Sequence, residues 1–505
     1  MEFQFESIET LPRLAWCARI KRGEDGVVVR HGPWVETRPT FFCEGAWNGE
    51  FAEGRPDLAT VLMGSAGVLQ DDQILFASPT HPLEKLFVLR NADEVLVSNS
   101  LAFVLAEAGD GCDPTYPNYV YDLLDFNAKG LHCHHSTLPT ARGEKAHSYK
   151  RCNLLVTRGL GVEIVTKPPV SAPQGYDHYL ETLRICVKDT TDNALSSLRK
   201  RTYSPVATVS SGYDSTACAV LAREVGCKKA VTLPTANLSR GDSHDDSGSR
   251  AAGALGLLVT ERDWHAFEHK DGFPEAEFCA CGNGQDINLL AMEDEFSGRM
   301  VFTGCRGDYV WERLGYEFPW WSMTSYGVTE FRLRVGYIHM CAASIGEVFS
   351  RAIHEISQLD EMRIWSICED YDRPIPRRIA EEAGVPRSYF GQIKKGTAHL
   401  PLWMIDRLTE KSRIDFLRFA SSAYVETTRI ERAEFRLGRI LLRLNERCNR
   451  VIVSVAESFG RRVKPRIFLS SRYQRRHNPG DLAFNWGQQK MVDRYAEDPK
   501  IKSPS

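Results

Sequence analysis

Along the first third of the chain, apolar and polar positions alternate in short runs cut by Gly, Pro and Asp. Gly26-Val27-Val28-Val29-Arg30, Ile74-Leu75-Phe76-Ala77-Ser78 and Glu94-Val95-Leu96-Val97-Ser98-Asn99 have this texture. Alternation of this kind predicts a β-rich domain with a few helices over residues 1–167. Lys167 to Gly175 holds three prolines and no period, and predicts a linker. Beyond it the period lengthens. Leu180, Leu183, Ile185, Val187, Leu195 and Leu198 predict a helix over Tyr179 to Leu198. Val206 to Val209 reads as a short buried strand, Ala217 to Val225 as a helix closed by Gly226, and Ala230 to Leu233 as a second strand. Asp245 to Leu255 reads as a second helix and Met300 to Thr303 as a third strand ending at Gly304. Strands alternating with helices predict an α/β domain with a doubly wound parallel sheet over residues 176–480. Helices are expected to dominate from about residue 340, and 481–505 to form a C-terminal tail that frays from Asp498.

Composition narrows the class. The chain has 505 residues, 43% of them hydrophobic, and a formal net charge of −3, so its overall field points to neither nucleic acid nor membrane. No apolar run approaches the roughly 20 residues that cross a bilayer. Met1-Glu2-Phe3-Gln4-Phe5-Glu6 is acidic and lacks the basic start of a secretory signal. The 14 cysteines are scattered, which suits reduced thiols in a cytoplasmic protein. Cys279-Ala280-Cys281 is too tight for paired zinc ligands. His132-Cys133-His134-His135 has suitable ligand types but no second cluster to complete a tetrahedral set.

The candidate chemistry sits after the first buried strand of the second domain. Ser210-Ser211-Gly212-Tyr213-Asp214-Ser215-Thr216 joins a strand to a helix, and backbone N–H groups and a helix N-terminus there form a phosphate site. The four hydroxyls are expected to donate further hydrogen bonds, and Gly212 to let the backbone approach. A carboxylate in a phosphate site repels its ligand unless a cation lies between them, so Asp214 implies Mg²⁺. The lysine of a Walker-type loop is absent. Asp308 also follows a buried strand, and parallel strands bring both carboxylates to the edge where α/β sheets bind ligands.

Val209-Ser210-Ser211-Gly212-Tyr213-Asp214-Ser215 resembles the pyrophosphate loop of the N-type ATP pyrophosphatases, and in detail that of the asparagine synthetase and β-lactam synthetase family, with Ser211 in place of the first glycine. Asp245-Asp246 followed by Ala251-Ala252-Gly253-Ala254-Leu255-Gly256 resembles the family's acidic-pair helix. Thr303-Gly304-Cys305-Arg306-Gly307-Asp308 resembles its second pyrophosphate segment. The resemblance implies that Asp214 and Asp308 hold Mg²⁺ on the pyrophosphate of ATP. It places ATP against Ser210, Ser211, Gly212, Ser215, Thr216, Gly304 and Gly307, and adenine against backbone groups of Val209 and Leu233. Arg373 to Gly396 resembles the late part of the synthetase domain, where a lysine reaches the reacting phosphates; Lys395, directly before glycine, is preferred over Lys394.

The N-terminal region is similar in outline to the glutaminase (Ntn-hydrolase) half of asparagine synthetase. The similar segments are Phe76-Ala77-Ser78, Pro82 to Phe87, Val97 to Ala102 and Leu138-Pro139. The family's N-terminal cysteine nucleophile is missing: residue 2 is Glu2 and the first cysteine is Cys17. A degenerate scaffold is therefore expected, as in β-lactam synthetase. Cys305 stands where the family reads or deprotonates its substrate, Arg306 replaces a glycine, and Tyr309 replaces the Glu after Asp308. Aspartate is thus a poor candidate substrate. Arg306 is expected to pair with a carboxylate or phosphate, and Trp311, Trp320 and Trp321 to wall a larger substrate.

The expected function is AMP-forming, Mg-ATP-dependent synthesis of an amide from a small-molecule or peptide carboxylate and an amine or ammonia. Two rival features remain. Ile379 to Phe390 is patterned like a helix-turn-helix, which would suit a DNA-binding relic. The basic run from Arg429 to His477 would suit an enzyme that modifies RNA with the same loop.

Overall fold

The computed structural model describes residues 1–116, 118–124, 134–234, 246–282, 284, 286–313, 327–367, 371–391, 408–423 and 479–496. Its first part is two stacked β-sheets. One has strands in the spatial order Glu2–Ser7, Gly26–His31, Trp16–Lys21, Glu94–Ser98, Leu86–Arg90, Lys145–Lys150 and His134–Pro139. The other runs Val162–Thr166, Cys152–Thr157, Gln73–Ala77, Ala66–Gln70, Phe41–Cys43 and Glu36–Thr37. Alternation explains the layering. Ala18, Ile20, Leu86, Val88, Val95 and Val97 face the second sheet and pack on Phe42, Ile74, Phe76 and Leu154. Cys17, Phe87, Leu89 and Leu96 point the other way, onto the helix Leu101–Ala108.

Residues 167–175 contain no regular element, as expected of the linker. The 20-residue helix Tyr176–Leu195 follows. Its predicted apolar face is only partly buried: Leu180, Leu183 and Val187 enter the core, while Ile185 and Leu195 stay at the surface.

The second part is built on a five-stranded, all-parallel sheet in the order Leu258–Glu261, Lys229–Thr232, Ser204–Thr208, Arg299–Phe302, Ile338–Met340. Both faces are covered, as parallel sheets require. Ala207, Ala230, Met300 and Phe302 pack on helices Tyr176–Leu195 and Tyr213–Glu224. Val206, Val231 and Val301 pack on Trp264, Phe278, Leu290 and Phe331. The strand order reverses between Ser204–Thr208 and Arg299–Phe302. A crevice opens there at the carboxyl ends, because the connections leave in opposite directions.

Two segments depart from the sequence reading. The second helix is short, Ser249–Ala254, and Asp246 precedes it. The stretch before it is pressed flat on the sheet. Ser247 bridges to Ser210, the Gly248 N–H donates to Thr232 Oγ1 at 2.9 Å, and a Cβ on Gly248 would lie 2.5 Å from the Val209 backbone. The expected tail 481–505 is largely the helix Pro479–Ala496. It buries Leu482, Phe484, Trp486, Met491 and Tyr495 between helices Leu101–Ala108 and Pro274–Cys279, with Gly487 seated on Ala276 and Ala280. Its apolar period was masked by Asn485 and Gln488, which are themselves buried; Gln488 Nε2 donates to the Ala280 carbonyl at 2.6 Å.

The two parts share a polar seam. Buried Arg332 pairs with Glu44 at 2.7 Å and with Glu84, and Arg199 donates to the Gly45 carbonyl at 2.8 Å. Among the described residues, no helix is long and apolar enough to cross a membrane.

Candidate functional site

The loop after the central strand is shaped by its own serines. Ser215 Oγ accepts from the Ser210 N–H at 3.0 Å and lies 2.9 Å from Ser210 Oγ, which accepts from the Gly212 N–H at 3.2 Å. Ser211 and Thr216 were expected to serve a phosphate, but their hydroxyls are engaged within the fold. Ser211 Oγ donates to Asp246 Oδ1 at 2.6 Å, and Thr216 Oγ1 to the Gly212 carbonyl at 2.8 Å. What the loop turns toward its mouth is the Ser210–Ser215 hydroxyl pair, beside the amides that open the 12-residue helix Tyr213–Glu224. Val209 is 3% exposed, and its N–H is spent on the Val231 carbonyl at 2.9 Å; Leu233 is buried beside it. The Val209 carbonyl faces Gly248, where an added Cβ would lie 2.6 Å from it.

The second segment closes onto this loop. Thr303 and Gly304 follow the neighbouring strand, and Gly307 opens a short helix to Val310. A Cβ on Gly304 would lie 2.5 Å from the Ser215 nitrogen, and one on Gly307 would lie 2.6 Å from Asp214 Cβ and Cγ. Bare glycines are what allow the two segments to touch. Asp308 stands exposed at the rim and Asp214 is mostly buried.

The sequence reading missed the cation at this point. Arg373, whose side chain is 1% exposed, pairs through Nη1 with Asp214 Oδ2. Its Nε lies 3.6 Å from Glu312 Oε2, and its Cζ 5.2 Å from the Tyr371 ring centroid. Asp214, Tyr371 and Asp308 together raise its pKa against the opposing effect of burial. Nothing local to Arg373-Pro374-Ile375-Pro376 marks that role, because its partner is far away in sequence.

The substrate-reading candidates sit elsewhere. The Cys305 side chain is buried with Leu83 and Cys341, and burial raises its thiol pKa far above the usual value, so it is no nucleophile in this form. Arg306 adopts φ 71°, a conformation uncommon outside glycine. It directs its guanidinium into fully buried Glu347, with Nε at 2.8 Å from Oε1, rather than toward a ligand. Arg151 of the N-terminal part reaches the same carboxylate at 3.8 Å. Trp311 is core, donating to Tyr179 Oη at 3.0 Å. Trp320, Trp321, Lys394, Lys395, Asp245, His132, Cys133 and the basic run 429–477 lie outside the described residues. Gly391 is the last described residue before the two lysines, and it donates to the Ser211 carbonyl at 2.8 Å.

Among the described residues the helix-turn-helix pattern gives one helix, Pro374–Glu382, and a three-residue turn, Arg387–Tyr389, before Gly391. Its Arg377 is buried over the Tyr213 ring, with Cζ 4.8 Å from the centroid, and binds the Tyr213 hydroxyl. The segment braces the loop Ser210–Thr216 from behind.

Among the described residues no group of three or more His, Cys, Asp or Glu is arranged to hold a metal on protein ligands alone. Mg²⁺ does not need such a cage, since it takes one or two carboxylates and completes its shell with phosphate oxygens and water. Asp214 and Asp308 suit that pattern: Asp214 lies against Gly307, the residue before Asp308. In the N-terminal part, Cys17 lies inside the strand Trp16–Lys21 at 2% exposure, with its thiol pKa pushed well up by burial.

No family model matches the chain, and no curated protein is significantly similar to it in sequence.

Proposed function

We propose that this protein is an AMP-forming, ATP- and Mg²⁺-dependent ligase that joins a carboxylate to an amine or ammonia. The observation that carries the reading is the meeting of two segments at the strand-order reversal of a parallel sheet. Ser210–Thr216 and Gly304–Asp308 are in contact there, and Asp214 pairs with a buried guanidinium, Arg373. Paired carboxylates beside a helix N-terminus suit a metal-bound polyphosphate better than a bare anion.

In this reading the Ser210–Ser215 pair and the first amides of helix Tyr213–Glu224 hold the phosphates in line. Backbone groups of Val209 and Leu233 meet the adenine, and Lys395 or Lys394 supplies charge over the α-phosphate. Asp214 and Asp308 would hold Mg²⁺, which would supply charge neutralisation at the pyrophosphate. A substrate carboxylate oxygen attacks the α-phosphorus, the bond to the bridging oxygen breaks, and an acyl-adenylate and pyrophosphate form. The amine then attacks the acyl carbon and AMP leaves. The protein contributes mainly orientation and fixed dipoles. The two-sheet part is a glutaminase-like scaffold that supplies no ammonia of its own; its Arg151 helps hold the second phosphate segment through Glu347. The substrates are small molecules or peptides, the medium the cytoplasm.

The deciding experiment measures pyrophosphate and AMP from ATP in the presence of pools of carboxylic acids, amines, peptides and RNA. Release stimulated by an acid pool, with an amide product, is the expected result. Stimulation by RNA alone would transfer the same loop to nucleic-acid modification. No AMP from any pool would end the synthetase reading.

A further inference from the structure

We propose that Arg373 reads the pyrophosphate of ATP, and that the same guanidinium, paired with Asp214, competes there with a divalent cation. This rests on the reading above and deepens it.

A guanidinium offers five N–H donors in a rigid fork suited to carboxylate and phosphate. At Arg373 only part of that fork is used. Nη1 holds Asp214 and Nε faces Glu312, while Nη2 has no hydrogen-bond partner among the described residues although the side chain is 1% exposed. Leaving a buried charged donor unpaired is costly. Its neighbour Arg377 is committed to the Tyr213 hydroxyl and ring, so the two arginines of this segment have different tasks. One buttresses the loop; the other is aimed into it with a donor to spare.

The arrangement has a direct consequence. Two acids hold this one cation: Asp214 pairs with Nη1, and Glu312 Oε2 lies 3.6 Å from Nε. A free divalent ion must compete with that cation for Asp214. A pyrophosphate group removes the competition by drawing the guanidinium fork onto its own oxygens, which frees the carboxylate. Metal and pyrophosphate therefore bind with positive coupling through Arg373, and by linkage each tightens the other equally.

The test uses the full chain and binding readouts. Mn²⁺ occupancy is followed by electron paramagnetic resonance, with and without inorganic pyrophosphate, and Mg²⁺ with a non-hydrolysable ATP analogue by calorimetry. The wild type is expected to bind Mn²⁺ about 10-fold or more tighter when pyrophosphate is present. Arg373→Met is expected to bind free Mn²⁺ more tightly than the wild type and pyrophosphate about 10–100-fold more weakly, with the coupling gone. Arg373→Lys keeps the charge without the fork; it should melt close to the wild type and still lose pyrophosphate affinity, so it carries the test where Arg373→Met does not fold. If both variants retain wild-type pyrophosphate affinity and coupling, the role assigned to Arg373 is wrong while the synthetase reading stands. If the wild type itself binds neither pyrophosphate nor the analogue, both fall together.

Discussion

Gly307 lies against Asp214 so closely that a Cβ on it would stand 2.6 Å from both Cβ and Cγ of the aspartate. Its φ is not in the left-handed region, so glycine is required here for space alone. Gly307→Ala should push the two segments apart by about 1 Å, enough to cost on the order of 100-fold in ATP-dependent pyrophosphate release. Gly212→Ala, whose Cβ would meet nothing nearer than 3.3 Å, should keep the wild-type melting temperature. Equal activity and melting in Gly307→Ala and wild type would remove the contact from the site.

Asp214 and Asp308 should separate in stability though not in turnover. Asp214→Ala leaves buried Arg373 short of its ion pair, a change worth about 3 kcal/mol, or a fall in melting temperature on the order of 3 °C for a chain of this length. Asp308 is exposed, so Asp308→Ala should melt like the wild type. Both should lose pyrophosphate release. Thermal melts beside a coupled phosphate assay read the two effects independently.

Cys305 packs against Leu83 and Cys341, away from the loop. Cys305→Ala should lower stability by about 1 kcal/mol through a small cavity and leave pyrophosphate release within a factor of a few. Loss of turnover with an unchanged fold would restore it as a reacting group.

Acid should destabilise the seam between the two parts. His339 is buried beside Thr303, and burial, helped by Arg332, depresses its pKa to about 3; His81 is lowered for the same first reason. A depressed folded-state value means the unfolded chain takes up the proton first. The stability is complete above about pH 6.5 and is lost as pH falls from there toward 3, by up to about 1.4 kcal/mol per pH unit for each histidine. Urea titrations from pH 7.5 to 4.5 should show this slope, and His339→Gln should flatten it.

The strands around the site were legible because they are short, fully buried and bounded by Gly or Ser, as at Val206–Val209 and Met300–Thr303. The edge strands Leu258–Glu261 and Ile338–Met340 were not. Leu258 is 70% exposed, and three residues make no period. The loop's chemistry was visible in its residue types, but the allocation of its hydroxyls was not. Whether Ser211 serves a ligand or Asp246 is a matter of three-dimensional distance. Arg373 and Glu347 escaped for a related reason. Each matters through a partner far along the chain, and local pattern holds no trace of such pairs.

The helix Pro479–Ala496 also bears on how the chain is made. Tyr495 stacks on Phe103 with ring centroids 4.5 Å apart and donates to Glu330 at 2.9 Å, so a late segment covers one of the earliest helices. At roughly 5–20 residues per second on the ribosome, the roughly 380 residues between Phe103 and Phe484 take tens of seconds to emerge. For that interval the outer face of the first sheet's helix waits uncovered. That part of the core therefore closes only after the chain through Tyr495 has emerged.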